Sequence, residues 1–441
     1  MRCLIIDPFG DALDLGMRAR AAGHQVRYFV RDEDATREIG AGLLDVTRDF
    51  QAEFKWADLI FCADNGLYQR EISSQRQLYP GKPIVGHNPE VREWEINRTL
   101  GQDILKRAGV DVAPYKEFSD YDHAIKYVKS RNTRLVCKPC SDEDKSLSYV
   151  STGPADLVWM LERWKKRQPL KGTFIIQDFV AGEEISAGGY FGPSGFIEGL
   201  WVDAEDKRLM SGGRGPNTGS MGAITVFQTK QRNSLARQVL LPLEDRLAEA
   251  GYVGSIDVSV IINEDGEPIP LEFTCRPGYP SLQIEAELRE GDPLDWLVDL
   301  CEGHDPKNAI LDTVACGVML KILASADKAM THADEIGVPV YGLTDRLWRH
   351  FHPYHLMAGE APVDAEQGPS TAIMPCSAGR YVGVVTGTGD TVSAARRAAY
   401  KRVSQIKIPL SMVYRDDIGE RLKGDLVDLH RHGYAIGLDY A

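Results

Sequence analysis

The sequence predicts a multidomain chain of mixed α/β and α+β class. Three observations carry this. Its 441 residues exceed one ordinary core. Short apolar runs alternate with helical stretches over the first hundred residues, as in an open parallel sheet. Beyond that point strands follow one another, and Asn263-Glu264-Asp265-Gly266 places an Asp-Gly turn between two apolar runs, the mark of an antiparallel hairpin.

In chain order, strands are expected at 3–7, 25–30, 59–63 and 83–86, with a helix at 12–22 stopped by Gly23-His24. A helix is expected at 95–108, closed by Gly109. A strand at 135–138 and a helix at 154–165 follow, then strands at 173–179 and 184–191 around Gly182-Glu183-Glu184 and a further strand at 196–202. Leu235, Val239, Leu243 and Leu247 recur every four residues, one face of a helix. The hairpin strands are 255–262 and 269–273. A last unit has strands at 314–323 and 379–386 and a helix at 391–403, with 360–370 reading as loop, polar with Pro and Gly. The expected division is 1–100, 101–310 and 311–441.

The net charge of −13 repels phosphate backbones, which argues against a nucleic-acid partner. Small-molecule substrates are expected instead, handled by a monomer or homodimer. No stretch approaches the roughly 18 apolar residues of a membrane span. The N-terminus lacks a signal peptide's basic start and apolar run. Eight scattered cysteines, with a single CxxC at Cys137 and Cys140, fit reduced thiols better than disulfides or a zinc site, so a cytoplasmic location is expected. His350, His352 and His355 lie together without a surrounding carboxylate cluster, which favours packing over metal binding.

Chemistry concentrates elsewhere. Glu272 and Arg276 stand at i and i+4 of one predicted strand and so share a face. The carboxylate suits Mg²⁺, and the guanidinium suits a moving phosphoryl group. Asp257, on the partner strand, offers a second carboxylate. By itself such a Glu–Arg pair would be a cross-strand salt bridge worth little. Lys138 ends an apolar strand, where a lysine can reach phosphate or merely snorkel. Gly212, Gly213, Gly215, Gly219 and Gly222 form a loop whose N–H groups can approach an anion. There is no Gly-x-Gly-x-x-Gly at the first strand and no Walker loop.

The run Arg214-Gly215-Pro216-Asn217-Thr218-Gly219-Ser220-Met221-Gly222-Ala223 resembles the GPNTGGMGA signature of the glycinamide ribonucleotide synthetase (phosphoribosylamine–glycine ligase) family of ATP-grasp proteins. Leu271-Glu272-Phe273-Thr274-Cys275-Arg276-Pro277-Gly278 resembles its LEFNxRxG, and Phe179–Ser186 its FLxGEExS. Asp206-Lys207-Arg208, Gly387–Thr391 and Tyr414–Gly419 extend the likeness toward the C-terminus.

The resemblance implies a Rossmann-like N-terminal domain, a two-lobed ATP-grasp domain with ATP between the lobes, and a small α/β C-terminal domain. It implies an ADP-forming ligase using ATP and Mg²⁺ (or Mn²⁺). A carboxylate attacks the γ-phosphate, and an amine then displaces phosphate from the acyl phosphate. Arg276, Arg214 and Asn217 would be catalytic. Lys138, Lys145, Gln177, Phe179, Val180, Glu183 and Lys207 would hold ATP, Glu183 through the ribose hydroxyls. Asp206, Gly215, Pro216, Thr218, Gly219, Ser220, Met221 and Gly278 would meet substrate. Asp257, Glu272 and Thr274 would bind metal.

Four departures bear on the substrate. Where the family has a GGGREHAL-type loop, thought to serve the phosphoribosyl substrate, this chain has Asp7-Pro8-Phe9-Gly10-Asp11-Ala12-Leu13, and negative charge beside a sugar phosphate is unfavourable. The phosphate-covering loop is acidic (Asp142, Glu143, Asp144). Thr274 replaces an Asn metal ligand. RxGDPE has become Arg276-Pro277-Gly278-Tyr279-Pro280-Ser281. These point to a ligase joining glycine or a similar amino acid to a changed amine acceptor on a nucleotide or sugar-phosphate. An authentic phosphoribosylamine–glycine ligase and a catalytically dead nucleotide-binding regulator are the alternatives.

Overall fold

The computed structural model describes residues 1–140, 147–167, 169–304, 306, 309–323, 332–365, 368–410 and 412–441. Its first unit is a parallel sheet of β1 (Arg2–Ile6), β2 (Gln25–Phe29), β3 (Asp45–Thr47), β4 (Leu59–Cys62) and β5 (Ile84–Val85), in the order β3-β2-β1-β4-β5. All residues of β4 and β5 are buried, as expected of strands covered on both faces. The turn after β1 is shaped by Asp7, whose buried carboxylate accepts the N–H groups of Gly10, Asp11 and Ala12 at 3.0, 3.0 and 2.7 Å and the Tyr28 hydroxyl. A side chain thus performs the turn that glycines would make, and the helix Leu13–Ala21 follows directly.

The second sheet is antiparallel: β6 (Tyr115–Phe118), β7 (Leu135–Pro139), β8 (Tyr149–Val150) and β9 (Phe174–Asp178), ordered β6-β9-β7-β8. The helices Tyr121–Lys129 and Pro154–Arg167 supply Tyr121, Ile125, Leu157, Leu161 and Trp164 to its own small core around Phe174.

The third sheet dominates. It contains β10 (Glu183–Gly192), β11 (Gly195–Phe196) and β12 (Leu200–Glu205). Then, past the hairpin β13 (Arg208–Met210) and β14 (Arg214–Asn217), come β15 (Gly222–Gln228), β16 (Gly254–Ile262) and β17 (Pro268–Thr274). The sheet does not stop at residue 310. It takes in β18 (Val314–Ile322), β20 (Phe351–Pro353), β23 (Tyr381–Gly389) and β24 (Met412–Val413), and its order reads β17-β16-β10-β12-β15-β18-β23-β20, with β11 on β10 and β24 on β18; β19 (Ile336–Pro339), β21 (Leu356–Ala365) and β22 (Gly368–Ala378) form a separate sheet, ordered β19-β22-β21. Every residue of β18 is buried, because it pairs with β15 and β23 on either side.

Glycine permits the close approaches. A Cβ at Gly188 would lie 2.1 Å from the Trp201 ring, and one at Gly182, where φ is +143°, would lie 1.9 Å from the Ile262 carbonyl oxygen.

Three expectations change. The helix anticipated at 95–108 is two, Pro89–Ile96 and Arg98–Arg107, because Asn97 leaves the helical region and caps the second through Leu100 N–H. The helix expected around Leu235–Leu247 breaks into Ser234–Val239, a 3₁₀ turn at Leu241–Leu243 and Glu244–Glu249, where Pro242 interrupts it. The loop expected at 360–370 is instead the end of the β21–β22 hairpin, paired from Leu356↔Ser377 to Ala365↔Gly368. Most of its residues there are exposed, so no apolar alternation marks it.

Candidate active site

A cleft of about 520 Å³ opens where the three parts meet. The parallel sheet contributes Asp11 and Asp64 from loops after β1 and β4. The large sheet contributes Asp203 and Glu205 of β12, Lys207, Asp257 of β16, and Glu272 and Thr274 of β17. Arg276 and Tyr279 follow β17, while Tyr354 and Tyr381 come from the C-terminal third. The hairpin register sets Asp257 opposite Thr274 and Ser259 opposite Glu272. β17 ends at Thr274, so Arg276 lies beyond the strand rather than on it, yet lines the same cleft.

One end of the cleft is a charge cluster. Lys207 Nζ lies 3.0 Å from Glu184, 3.5 Å from Glu205 and 3.8 Å from Glu272. Arg98 clamps the other Glu272 oxygen at 2.8 Å. Burial would raise the Glu272 carboxyl, but Arg98, Lys207 and Lys138 hold it well below the usual carboxylate range. Lys138, ending β7 on the small sheet, feels Arg98, Glu272, Glu184 and Lys207 together. Burial first, then Arg98, lowers its ammonium to about 8. The two antiparallel sheets therefore face each other across this cluster.

Deeper in, Asp203, Glu205 and Asp257 crowd one another. Burial pushes Asp203 to about 6 and Glu205 to about 7; burial and its acidic neighbours push Asp257 far up. Asp203 is oriented by the hydroxyls of Thr225 and Ser281 at 3.0 and 2.8 Å. This oxygen-rich, like-charged group is the chemistry a hard divalent cation relieves.

At the opposite end Arg276 Nε sits 3.3 Å from Glu95, whose other oxygen accepts the Cys275 N–H and the Asn65 amide at 2.8 and 2.9 Å. Asp11, raised to about 8 by burial and by Asp7, and Asp64 face the same guanidinium.

The structure therefore gathers Lys207, Asp257, Glu272, Thr274, Arg276, Gly278, Gly219 and Ser220 along the cleft, with Lys138 beside it. It does not bring Arg214, Gly215, Pro216 and Asn217 there. They form β14, an exposed strand whose hairpin is tied down by Ser211 to Asp416 (2.5 Å) and Gly212 N–H to Asp417 (2.7 Å). Thr218 bonds back to the Lys207 carbonyl, and Met221 is fully buried. Asp206 is buried in a structural role, accepting the Gly419 N–H at 2.8 Å and pairing with Arg415 at 3.2 Å. Gln177 is buried in β9 and donates to the Ala113 carbonyl; the Phe179 ring lies 3.6 Å under the Arg134 guanidinium; Val180 is half-buried beside it. Lys145 and the acidic loop Asp142-Glu143-Asp144 lie outside the described residues. His350 and His352 are taken up by Glu287 and Asp14, at 2.6 and 2.8 Å, rather than gathered on a metal. All eight cysteines are free thiols.

Glu183 is the informative displacement. Adjacent residues of a strand point to opposite faces. Glu183 faces Asp425 and Arg421, and burial with Asp425 raises it to about 7; Glu184 is the one that reaches Lys207. Of the two, Glu184 is the carboxylate turned toward the lysine–carboxylate cluster. We expect Glu184→Gln to raise the KM for ATP roughly tenfold, the scale of a lost charged hydrogen bond, and Glu183→Gln to leave it within about twofold. Equal effects in steady-state kinetics would contradict this. Asp203, Glu205 and Arg98 were also not singled out from the sequence. Asp203-Ala204-Glu205 alternates just before Lys207, a signal that was there to read; Arg98 opens a helix far away in sequence and gave none.

Two facing antiparallel lobes with a lysine–carboxylate cluster between them form a cleft suited to a nucleotide's phosphates and a divalent cation. The family model for the phosphoribosylglycinamide synthetase ATP-grasp (A) domain matches residues 97–282. The chain is 26% identical to phosphoribosylamine–glycine ligase of Leptospira interrogans over 348 residues, 77% of this chain and 78% of that one. It is 27% identical to the protein of that name from Ralstonia nicotianae over 351 residues, 77% of this chain and 79% of the other. The solved structure of phosphoribosylamine–glycine ligase from Thermotoga maritima aligns with a TM-score of 0.68 at 19% identity, covering 95% of this chain and 100% of that one. Biotin carboxylase of Campylobacter jejuni shares the fold at a TM-score of 0.62 and 13% identity, over 93% and 92% of the two chains. Residues 97–282 therefore match an ATP-grasp domain, and the chain as a whole is similar to the ADP-forming C–N ligases of that class, phosphoribosylamine–glycine ligase among them. Among the described residues no helix is long and apolar enough to cross a membrane.

Proposed function

We propose that the protein is a cytoplasmic ATP-dependent carboxylate–amine ligase acting through an acyl phosphate. It would join glycine or a similar amino acid to an amine acceptor other than phosphoribosylamine, borne on a nucleotide or sugar-phosphate. The observation that carries this is the asymmetry of the cleft. Lys207, Arg98 and Lys138 gather around Glu272 at the end suited to ATP. At the other end Arg276 is already paired with Glu95 and Asp64 of the N-terminal sheet faces it, so an acceptor phosphate on the N-terminal-sheet side of Arg276 would meet net negative charge.

In this reading Lys138 and Lys207 hold the ATP phosphates, Glu184 the ribose side, and the 177–180 segment the base. Arg276, fixed by Glu95, steadies the transferring phosphoryl group. A bound Mg²⁺ (or Mn²⁺), held by Glu272 and Asp257 with Thr274 as a weaker neutral donor, would neutralise charge on the phosphates. The tyrosines at 279, 354 and 381 narrow the acceptor end and limit water, which would otherwise hydrolyse the acyl phosphate.

The test is ADP release with Mg-ATP, glycine and freshly generated phosphoribosylamine, set against glycine with hydroxylamine as a trap. Release in the trap arm alone is expected. Turnover with phosphoribosylamine at ordinary enzyme efficiency would refute the changed acceptor. It would establish the second reading, an authentic phosphoribosylamine–glycine ligase, which the shared name of the curated relatives favours. Nucleotide binding with no ADP in either arm, across a panel of amino acids, would point to a regulator.

A further inference from the structure

The acceptor end of the cleft is walled by aromatic rings. Tyr279 follows β17, and Tyr354 and Tyr381 come from the C-terminal third. Their ring centres lie 6.1 Å apart for Tyr279 and Tyr354 and 6.5 Å apart for Tyr354 and Tyr381. The Tyr279 hydroxyl donates to the Ala63 carbonyl at 2.9 Å. The Tyr354 hydroxyl has no such acceptor. Tyr354 is 3% exposed, and its hydroxyl makes no hydrogen bond among the described residues while remaining open to the cleft it lines. A buried hydroxyl ordinarily has a partner.

Asp11 lines the same corner, in the turn after β1. Its backbone is held on both sides, the N–H by the Asp7 carboxylate at 3.0 Å and the carbonyl by the Gln283 amide at 2.6 Å. Its carboxyl is left without a hydrogen-bond partner among the described residues and is open to the cleft. Burial first, then the charges of Asp7 and Asp11, raise the Tyr279 and Tyr354 hydroxyls well above their usual range, so both stay neutral. The other charged groups facing Asp11 are Asp64 and Arg276, and Arg276 is already paired with Glu95. Lys321 lies 4.0 Å from the Tyr381 ring centre but does not line the cleft. A carboxyl set among tyrosine rings, with positive charge in deficit, is the chemistry that recognises an organic cation.

We propose that the acceptor's amine docks here as a primary ammonium, donating to the Asp11 carboxylate and to the Tyr354 hydroxyl oxygen, and that Asp11 is the base that receives its proton. The inference rests on the ligase reading above and names the acceptor's class: a primary alkylamine, cationic at neutral pH, rather than a weakly basic glycosylamine. Asp11 takes one proton from the ammonium, and the freed lone pair attacks the acyl carbon. The C–N bond forms, the C–O bond to phosphate breaks, and phosphate leaves with that electron pair and the second N–H proton. With the corner empty, burial and then Asp7 raise Asp11 to about 8. A docked ammonium offsets both, so the carboxyl ionises as the amine arrives and is then a stronger base than an ordinary carboxylate. Any phosphate on the acceptor would be carried away from this corner.

The full-length protein is titrated calorimetrically with n-butylamine, a primary ammonium at neutral pH, and with butan-1-ol, its uncharged counterpart, each to about 50 mM, above a millimolar Kd. Butylamine should bind at one site per chain, and butanol roughly tenfold more weakly or less. Asp11→Asn keeps the backbone bonds of the turn, and Tyr354→Phe keeps the ring; they should weaken butylamine by about tenfold and about threefold. ADP release is then followed with Mg-ATP and glycine, using butylamine or hydroxylamine, which is uncharged at neutral pH. In Asp11→Asn, release with butylamine should fall roughly a hundredfold further than release with hydroxylamine, the lower range for loss of a general base. Equal losses with the two nucleophiles overturn the proposal. So do failure of butylamine to bind, butanol binding as tightly, binding that survives both substitutions, or a parent enzyme that acylates hydroxylamine but never the bound butylamine. Butylamine binding that depends on Asp11 and Tyr354, with no ADP from either nucleophile, would instead refute the ligase reading, and Asp11 as its base, while the cation site stands.

Discussion

Replacing Glu272 with glutamine lowers ADP formation in the trap assay by roughly a thousandfold while the protein remains folded, the upper range for loss of one preorganised electrostatic group. Glu272 is where the charges of the cleft converge. Arg98 grips one oxygen at 2.8 Å and Lys207 stands 3.8 Å from the other. Burial opposes ionisation there, yet Arg98, Lys207 and Lys138 together keep the group ionised. Glutamine keeps the volume and one acceptor but removes the charge, so the three cations lose their common partner and a metal loses an anionic ligand. The distinguishing readouts are kcat in the trap assay beside the urea midpoint. A fall in the midpoint with less than a tenfold loss of kcat would reduce Glu272 to a structural role.

Lys207→Met has the largest expected effect on stability, a loss of about 2–3 kcal/mol at pH 7. Removing one partner of a buried ionic group strands the remaining charges. Here three carboxylates, Glu184, Glu205 and Glu272, lose their shared cation. The figure is set below the usual range for breaking a buried pair because the Glu184 and Glu272 side chains are 42% and 39% exposed, so water screens part of the repulsion. The pH dependence has a definite sign. In the variant the folded-state carboxyl pKa values rise above their unfolded values. Glu205, already at about 7 beside Lys207, rises further, so the deficit is fullest above neutral pH and shrinks as pH falls through the raised values. Urea melts at pH 7 and pH 5 measure it. A deficit that stays constant or grows on acidification would show that the carboxylates are not coupled through Lys207.

What was legible in the sequence was the part written in local pattern. The hairpin around Asn263–Gly266 and the pairing of Asp257 with the Glu272 strand follow from strand periodicity and turn chemistry, and they hold. The parallel arrangement of the first four expected strands follows from their alternation with helices. What was not legible depends on direction and distance. Glu183 and Glu184 are neighbours in sequence, and only the pairing of β10 with β16 and β12 decides which of them turns toward Lys207. Asp206 reads as a substrate ligand by its neighbours, yet the return of the chain at Arg415–Gly419 claims it. Arg98 and Glu95 come from helices more than 170 residues before Glu272 and Arg276, the residues they serve, a separation no local pattern carries. Asp7 and Asp11 appear equivalent in the N-terminal run. Folding divides them, the first building the turn and the second facing the cleft.

The place of β18 has a consequence for how the protein is made. This strand, from the C-terminal third, sits between β15 and β23. Until residue 322 has left the ribosome, β15 is an open edge with unpaired backbone groups and an apolar face, the kind of surface that recruits other strands. Ile418 then packs against Gly222, and Arg421 donates to the Glu184 carbonyl at 2.8 Å, so residues after 410 add to the hold that β16 and β12 already have on the Glu184 strand. A nascent chain stalled after the lobes have been synthesised holds every residue of the lysine–carboxylate cluster but lacks the strands that close its sheet. The cluster's residues are thus all made before the strand that covers the β15 edge, and during that interval the edge is open to pairing with other chains.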